Sequence, residues 1–191
     1  MHCPLHADTV LETRTVEPGV TVRACPRCGG YWMTAAAYWQ WREGLSEPLP
    51  DLEVEDGGED EVSDSAGAKL CPVDGGFLIR HQVGHGLGFW LDRCGRCGGV
   101  WLDRGEWEAL ERRQMHDDLH LIFTSTWQTE VRRQRKARAD EKRLIERLGD
   151  ADYRRAKEIN AWLESKGRDS SADTLGPILG LLVDGLSEII R

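Results

Sequence analysis

Apolar positions fall in short alternating runs before about residue 110 and recur at helical spacing after it. Thr9-Val10-Leu11 and Val20-Thr21-Val22 are β-prone runs parted by Pro18-Gly19, a hairpin signal. Phe77-Leu78-Ile79 and Phe89-Trp90-Leu91 repeat the pattern around Gly84–Gly88. A tryptophan follows each pair of runs, Trp32 and Trp101, and a short helix is predicted after each. Thr34 caps the first; Asp103 caps the second, with Glu106 three residues on completing a capping box. From about Arg104 the reading is helical. Leu119, Ile122, Phe123, Trp127 and Val131 form an apolar stripe that needs a surface to cover it. The pattern turns charged from Arg132 to Lys142, resumes at Leu144, Ile145 and Leu148, and breaks at Gly149, after which Asp150 starts a helix to about Lys166. A last helix is predicted over Pro177–Ile190, with Leu179, Leu182, Val183, Leu186 and Ile190 on one stripe.

The first half of the chain contains a repeat. Cys3-Pro4-Leu5-His6 and Cys25-Pro26-Arg27-Cys28-Gly29-Gly30-Tyr31-Trp32 return as Cys71-Pro72-Val73-Asp74-Gly75-Gly76 and Cys94-Gly95-Arg96-Cys97-Gly98-Gly99-Val100-Trp101. All 6 cysteines of the 191-residue chain lie in these matching frames. The expected architecture is a small metal-stabilised α+β protein: two tandem modules, each a hairpin plus a short helix, followed by an α-helical C-terminal region. The expected bounds are 1–46 and 69–112 for the modules, 47–68 for a linker, 113–166 for long basic and amphipathic helices, 167–176 for a second linker, and 177–191 for the apolar C-terminal helix.

Charge sharpens this division. Asp51, Glu53, Glu55, Asp56, Glu59, Asp60, Glu61 and Asp64 crowd the first linker with no base before Lys69, so disorder is expected there. The net charge of −8 is therefore that of the linker; the remainder is close to neutral. No apolar run is long enough to cross a membrane, and the opening residues lack the basic and apolar stretches of a secretory leader, so a cytoplasmic location is expected. In that setting clustered cysteines are read as metal ligands before disulfides.

A Cys-x-x-Cys turn brings two thiolates to one metal, and a glycine after the second supplies the backbone freedom the turn demands. Each module has one complete pair and one half pair. His6 stands where the first module lacks a cysteine, giving Cys3, His6, Cys25 and Cys28. In the second, Asp74 holds the matching frame beside Cys71, Cys94 and Cys97, with His81 and His85 as competing ligands. Two structural zinc ions are expected. The competing chemistry is a thiol redox pair at Cys25-Pro-Arg-Cys28, and the glycines that follow favour a metal turn.

Residues 94–107, Cys-Gly-Arg-Cys-Gly-Gly-Val-Trp-Leu-Asp-Arg-Gly-Glu-Trp, resemble the signature of the bacterial TFIIB-type zinc-ribbon family. The second copy follows that pattern from Cys94 to Glu106 and departs at Asp74. The first departs at His6, and Met33-Thr34-Ala35-Ala36-Ala37 replaces the Leu-Asp-x-Gly-Glu tail. The resemblance implies zinc binding, and implies transcription only by name.

The remaining candidates are weaker. Trp32 and Trp101 read as core plugs shielding the metal rather than as base-stacking platforms, and Trp39, Trp41 and Trp107 as seals on the C-terminal helices. His116 and His120, at i, i+4, read as a solvated helix face. No nucleophile–base or phosphate-loop signature occurs, so no enzyme is expected. Arg132, Arg133, Arg135, Lys136 and Arg138 are candidate nucleic-acid contacts on the helix over 131–147. The functional expectation is an adaptor that docks an unidentified protein partner. The alternatives are direct nucleic-acid binding through the basic helix and a thiol redox or zinc-release sensor. A homo-oligomer through the C-terminal helix is a further expectation.

Overall fold

The computed structural model of the protein describes residues 1–45 and 62–169. Most of the first linker and the predicted helix over 177–190 therefore lie outside the described residues. The chain divides into two units, one ending at Arg132 and one beginning at Arg133.

The first unit is built on six antiparallel strands: β1 (Glu12–Glu17), β2 (Val20–Ala24), β3 (Tyr31–Met33), β4 (Leu78–Gly84), β5 (Leu87–Cys94) and β6 (Val100–Leu102). Their order is β1-β2-β3-β6-β5-β4, so the two repeats do not stand apart as separate modules on a linker. They share one sheet, joined where β3 pairs β6 with Trp32 opposite Trp101. Tyr31-Trp32-Met33 and Val100-Trp101-Leu102 are the strands that the sequence reading did not assign. Each is three residues long, below the length at which alternation is visible, and each needs the other to be paired on its second edge.

Alternation along the strands divides the side chains between two faces. One face carries Val20, Val22, Ala24, Tyr31, Met33, Leu87, Phe89, Leu91, Val100 and Leu102, covered by helices. The other carries Leu11, Trp32, Leu78 and Trp101 in one cluster with Cys3, Cys25, Cys71 and Cys94. The strand predicted over Thr9–Leu11 begins later, at Glu12, because the earlier residues wrap the first cysteine. The Cys3 amide donates to Thr9 O at 2.9 Å, and His2 bridges to Val10.

Helix α1 (Ala35–Glu43) starts as predicted, with the Thr34 hydroxyl accepting from the Ala37 amide at 3.1 Å. Helix α2 (Glu106–Arg112) starts differently. Glu106 does reach back to the Asp103 amide at 2.8 Å, but the Asp103 carboxylate is turned away from the helix to Trp101, Ser65 and Lys69. The continuous helix expected from Arg104 is interrupted, with a 3₁₀ turn at His116–Asp118 and a short α3 (Leu119–Ile122) before α4 (Ser125–Leu148). The breaks let the apolar stripe follow the curved sheet. Leu119, Ile122 and Val131 are buried, Phe123 and Trp127 pack on the same core, and Trp127 Nε1 donates to Val83 O at 2.8 Å.

The linker expected to run to Ala68 is anchored earlier in the second repeat. The Ser63 amide donates to Arg104 O, Asp64 pairs with Arg80, the Ser65 amide donates to Asp103, and Lys69 is buried. In the second unit, the last turns of α4 and α5 (Asp150–Asp169) are tied by Glu141, which accepts from Tyr153 Oη at 2.8 Å and from Lys157 Nζ at 3.2 Å. Gly149 separates them, as expected.

Candidate metal centres

Three of the four turns at the cysteine frames are built alike. In each, the amide of the leading cysteine is an internal donor: Cys25 to Gly30 O at 2.8 Å, Cys71 to Gly76 O at 2.7 Å, and Cys94 to Gly99 O at 2.9 Å. The return bond comes from a glycine at positive φ, Gly29 at 77°, Gly75 at 68° and Gly98 at 71°, a conformation that side-chain-bearing residues rarely adopt. The Cys3–His6 turn lacks that glycine and closes through His6 N to Cys3 O at 3.2 Å and Thr9 N to His6 O at 2.9 Å.

The turns bring four ligand atoms together twice. Cys3, His6, Cys25 and Cys28 each offer an atom within 4.8 Å of the others, and Cys71, Asp74, Cys94 and Cys97 do the same. A tetrahedral zinc with Zn–S of about 2.3 Å and Zn–N of about 2.0 Å spaces its sulfurs about 3.8 Å apart, and sulfur from nitrogen about 3.5 Å. The first group has Cys3 Sγ to Cys28 Sγ at 3.8 Å, Cys3 Sγ to His6 Nδ1 at 3.6 Å and Cys25 Sγ to His6 Nδ1 at 3.9 Å. The second has Cys71 Sγ to Cys97 Sγ at 3.6 Å and Cys94 Sγ to Asp74 Oδ2 at 3.2 Å. These spacings are far beyond the about 2.05 Å of a disulfide, and all six thiols are free.

Three thiols sit badly without a cation. Burial pushes Cys3 and Cys71 up to about 12 and raises Cys28 as well. At Cys25 and Cys94 burial also raises the thiol, but backbone amides outweigh it, from Cys28 and Arg27 in the first case and Cys97 and Arg96 in the second. A divalent ion converts such a set to thiolates, and the mixed sulfur, imidazole and carboxylate donors suit zinc.

Asp74 is the oxygen member of the second group. The Gly76 amide, donating to Oδ1 at 2.9 Å, holds its carboxyl down to about 2, with Arg96 adding a second bond to Oδ1 at 2.9 Å. Oδ2 is the oxygen that joins the cysteine group, 3.2 Å from Cys94 Sγ. The competing histidines are placed elsewhere: His81 Nδ1 donates to Ile79 O at 3.0 Å with its ring against Phe123, and His85 stacks on Trp127 at 4.4 Å. They are separated from the cysteines because the hairpin turns them toward the helices.

The second glycine of each Gly-Gly pair serves the opposite repeat. A Cβ on Gly30 would lie 2.6 Å from Trp101 Cζ2, and one on Gly99 would collide with the Trp32 ring. Each tryptophan thus covers the other repeat's metal turn rather than its own. Trp101 Nε1 donates to Asp103 Oδ1 at 2.6 Å; Trp32 Nε1 has no acceptor among the described residues, because Thr34 stands at the position of Asp103 and caps α1 instead.

Beside the tryptophans lies a buried charge network that the sequence did not reveal. Lys69 Nζ reaches Asp92 Oδ2 at 2.5 Å, Asp103 Oδ2 at 3.5 Å and Ser65 O at 2.7 Å. Asp64, Asp103 and Glu106 also converge within 4.8 Å, and this group carries its own cations, Lys69 and Arg80. Burial pushes the Glu106 carboxyl up to about 9, so the folded chain keeps a proton that the unfolded chain loses near pH 4. Folding stability therefore falls as pH rises through this interval. Glu106→Gln is expected to gain on the wild type by about 1 kcal/mol or more between pH 6 and pH 8.5, read by urea unfolding of the zinc-loaded protein. Parallel curves for the two proteins would remove the proton from Glu106.

The histidines expected on a solvated helix face are not there. His116 is buried between Trp41 and Trp107, with Nε2 3.5 Å from Glu17, and His120 Nδ1 is 2.8 Å from Tyr38 Oη. Trp41 and Trp107 meet edge to face at 5.8 Å, sealing α1 against α2. Arg132, Arg133, Arg135, Lys136 and Arg138 are exposed along α4. No helix among the described residues is long and apolar enough to cross a membrane.

No curated protein and no solved structure matches the chain. Residues 70–113, which span the second cysteine group, its hairpin and α2, match the TFIIB-type zinc-ribbon family, described as a transcription factor zinc-finger.

Proposed function

We propose that the chain is a non-catalytic adaptor in which two tandem zinc ribbons, each held by one structural zinc ion, are fused through a shared sheet and present a docking surface to a protein partner. In this reading each ion has four protein ligands and no open coordination position, which suits folding rather than hydrolysis. The observation that carries the docking role is an apolar patch around the second metal turn. Phe77 is 74 % exposed, Ile79 56 %, Val73 53 % and Leu70 49 %. Leu70 and Phe77 are bridged neighbours, and Ile79 is two residues along from Phe77, on the same side of the strand. Exposed patches of this kind mark interaction sites.

Because these side chains are exposed, replacing Phe77 and Ile79 with serine leaves the fold and the metal content intact in this reading. The double variant is expected to lose partners that the wild type captures from host extract at 0.5 M salt. Undiminished capture overturns the docking role.

Direct nucleic-acid binding is the second reading, favoured by one feature of α4. Arg135, Lys136 and Arg138 are exposed and have no acidic partner among the described residues. A salt-sensitive affinity removed by charge reversal at these three would favour it over the adaptor. A redox or zinc-release role has less support, since Cys3, Cys25, Cys71 and Cys94 are buried and oxidants act on accessible thiolates.

A further inference from the structure

A cavity of about 210 Å³ opens on the helix-covered face of the sheet, between α1, α3 and the β3–β6 junction, with Gly98 of the second cysteine turn in its lining. Its floor is Met33 and Val100, and its walls are aromatic: Tyr38, Trp39 and Phe123. Trp39 is 44 % exposed although its ring lies 5.2 Å from that of Tyr38. Its polar side chains are Thr34, Tyr38, His120 and Arg93. Arg93 lies over the Phe123 ring at 5.2 Å and has no acidic partner among the described residues. No carboxylate lines the cavity, in a chain with 33 acidic residues and a net charge of −8.

Thr34 and Ala35, at the start of α1, complete the lining with Gly98, Leu119 and His120. Here the two repeats differ in a telling way. In the second, Glu106 closes back on the Asp103 amide, while the Asp103 carboxylate turns away to Trp101, Ser65 and Lys69. In the first, Thr34 and Ala37 occupy those positions, and the first turn of α1 has no acid. Thr34 takes the Ala37 amide, while the amides of Ala35 and Ala36 have no acceptor among the described residues. The start of α1 thus carries no carboxylate, and Arg93, with no acidic partner among the described residues, lines the same cavity.

The geometry points to a binding site for a small aromatic carboxylate, its ring between Trp39 and Phe123 and its carboxylate on Arg93 and the start of α1. The aromatic walls select a planar apolar body, the cation and free amides select negative charge, and the volume admits a single ring rather than a nucleotide. None of its lining residues is a candidate metal ligand or part of the docking patch, and Arg93 and Gly98 adjoin Cys94 and Cys97.

The test is a titration of the full-length, zinc-loaded, ¹⁵N-labelled chain with benzoate, with benzamide and inorganic phosphate as the neutral ring and the ringless anion. Benzoate is expected to shift the Trp39 indole and the amides of Ala35, Ala36 and Arg93 saturably, with the two controls at least tenfold weaker. Arg93→Gln is expected to weaken benzoate at least tenfold. Ala36→Glu, at an exposed position where an acid suits the helix, offers the same amides an internal carboxylate and is expected to weaken benzoate at least threefold, whether or not Arg93→Gln folds. Absence of saturable shifts at 10 mM, equal shifts with benzamide, or indifference to Ala36→Glu overturns the site.

Discussion

Truncating Trp101 to alanine is expected to destabilise the first unit by about 3–5 kcal/mol and to loosen the metal group of the other repeat. The ring is fully buried at the centre of the sheet, opposite Trp32. Its loss opens a cavity over Gly30, next to Cys28, and leaves the Asp103 carboxylate without the indole donor. Trp32→Ala opens a similar cavity over Gly99 but breaks no hydrogen bond, so its cost is expected to be lower by about 1 kcal/mol. Gly99→Ala is expected to act in the opposite sense at the same contact, overpacking Trp32 against a wall that cannot retreat. Urea unfolding followed by circular dichroism gives the stabilities. Competition with a chromophoric chelator gives the release rate from Cys3, His6, Cys25 and Cys28. If Trp101→Ala speeds release only from its own repeat, the crossed packing is wrong.

Lys69→Met is expected to cost about 3–5 kcal/mol, although the substitution is apolar and of similar length. The Lys69 side chain is 0 % exposed and is the ion-pair partner of Asp92 and Asp103, whose side chains are each 3 % exposed. Removing the ammonium leaves two buried carboxylates facing each other. Asp92→Asn in the Lys69→Met background is expected to recover part of the loss by removing one of those charges. A cost for Lys69→Met within about 0.5 kcal/mol, typical of surface substitutions, would mean that Lys69 is not held in the network.

The candidate metal ligands were legible in the sequence because a cysteine turn is local. Six cysteines, His6 and Asp74 stand in frames whose spacing alone sets the geometry, and the structure brings all eight together as two groups. The hairpins were legible for the same reason, through Pro18-Gly19 and the glycines near residue 86. What was hidden depended on pairing across the repeats. Nothing near Trp32 in the chain marks Trp101 as its neighbour, so the shared sheet and the purpose of Gly30 and Gly99 emerge only in three dimensions. Lys69 was hidden for a related reason: a lysine ending an acidic, glycine-rich stretch reads as solvated until Asp92 and Asp103 are seen to surround it. His116 read as exposed because its helical register was assumed continuous, and the 3₁₀ turn rotates it into the core. The fused sheet also alters the energetic role expected of the proposed metals. The helix-covered face has a sizeable apolar core of its own, whereas the opposite face has little beyond two tryptophans, Leu11, Leu78 and the cysteines.

The central claim is that divalent ions seal that second face. The most direct measurement is the metal content of freshly purified protein, paired with thermal unfolding of the same sample before and after equilibration with excess EDTA. The account predicts two zinc ions per chain, and loss of the first unit's cooperative unfolding transition once they are stripped. Metal-free protein with an unchanged transition in EDTA would contradict it.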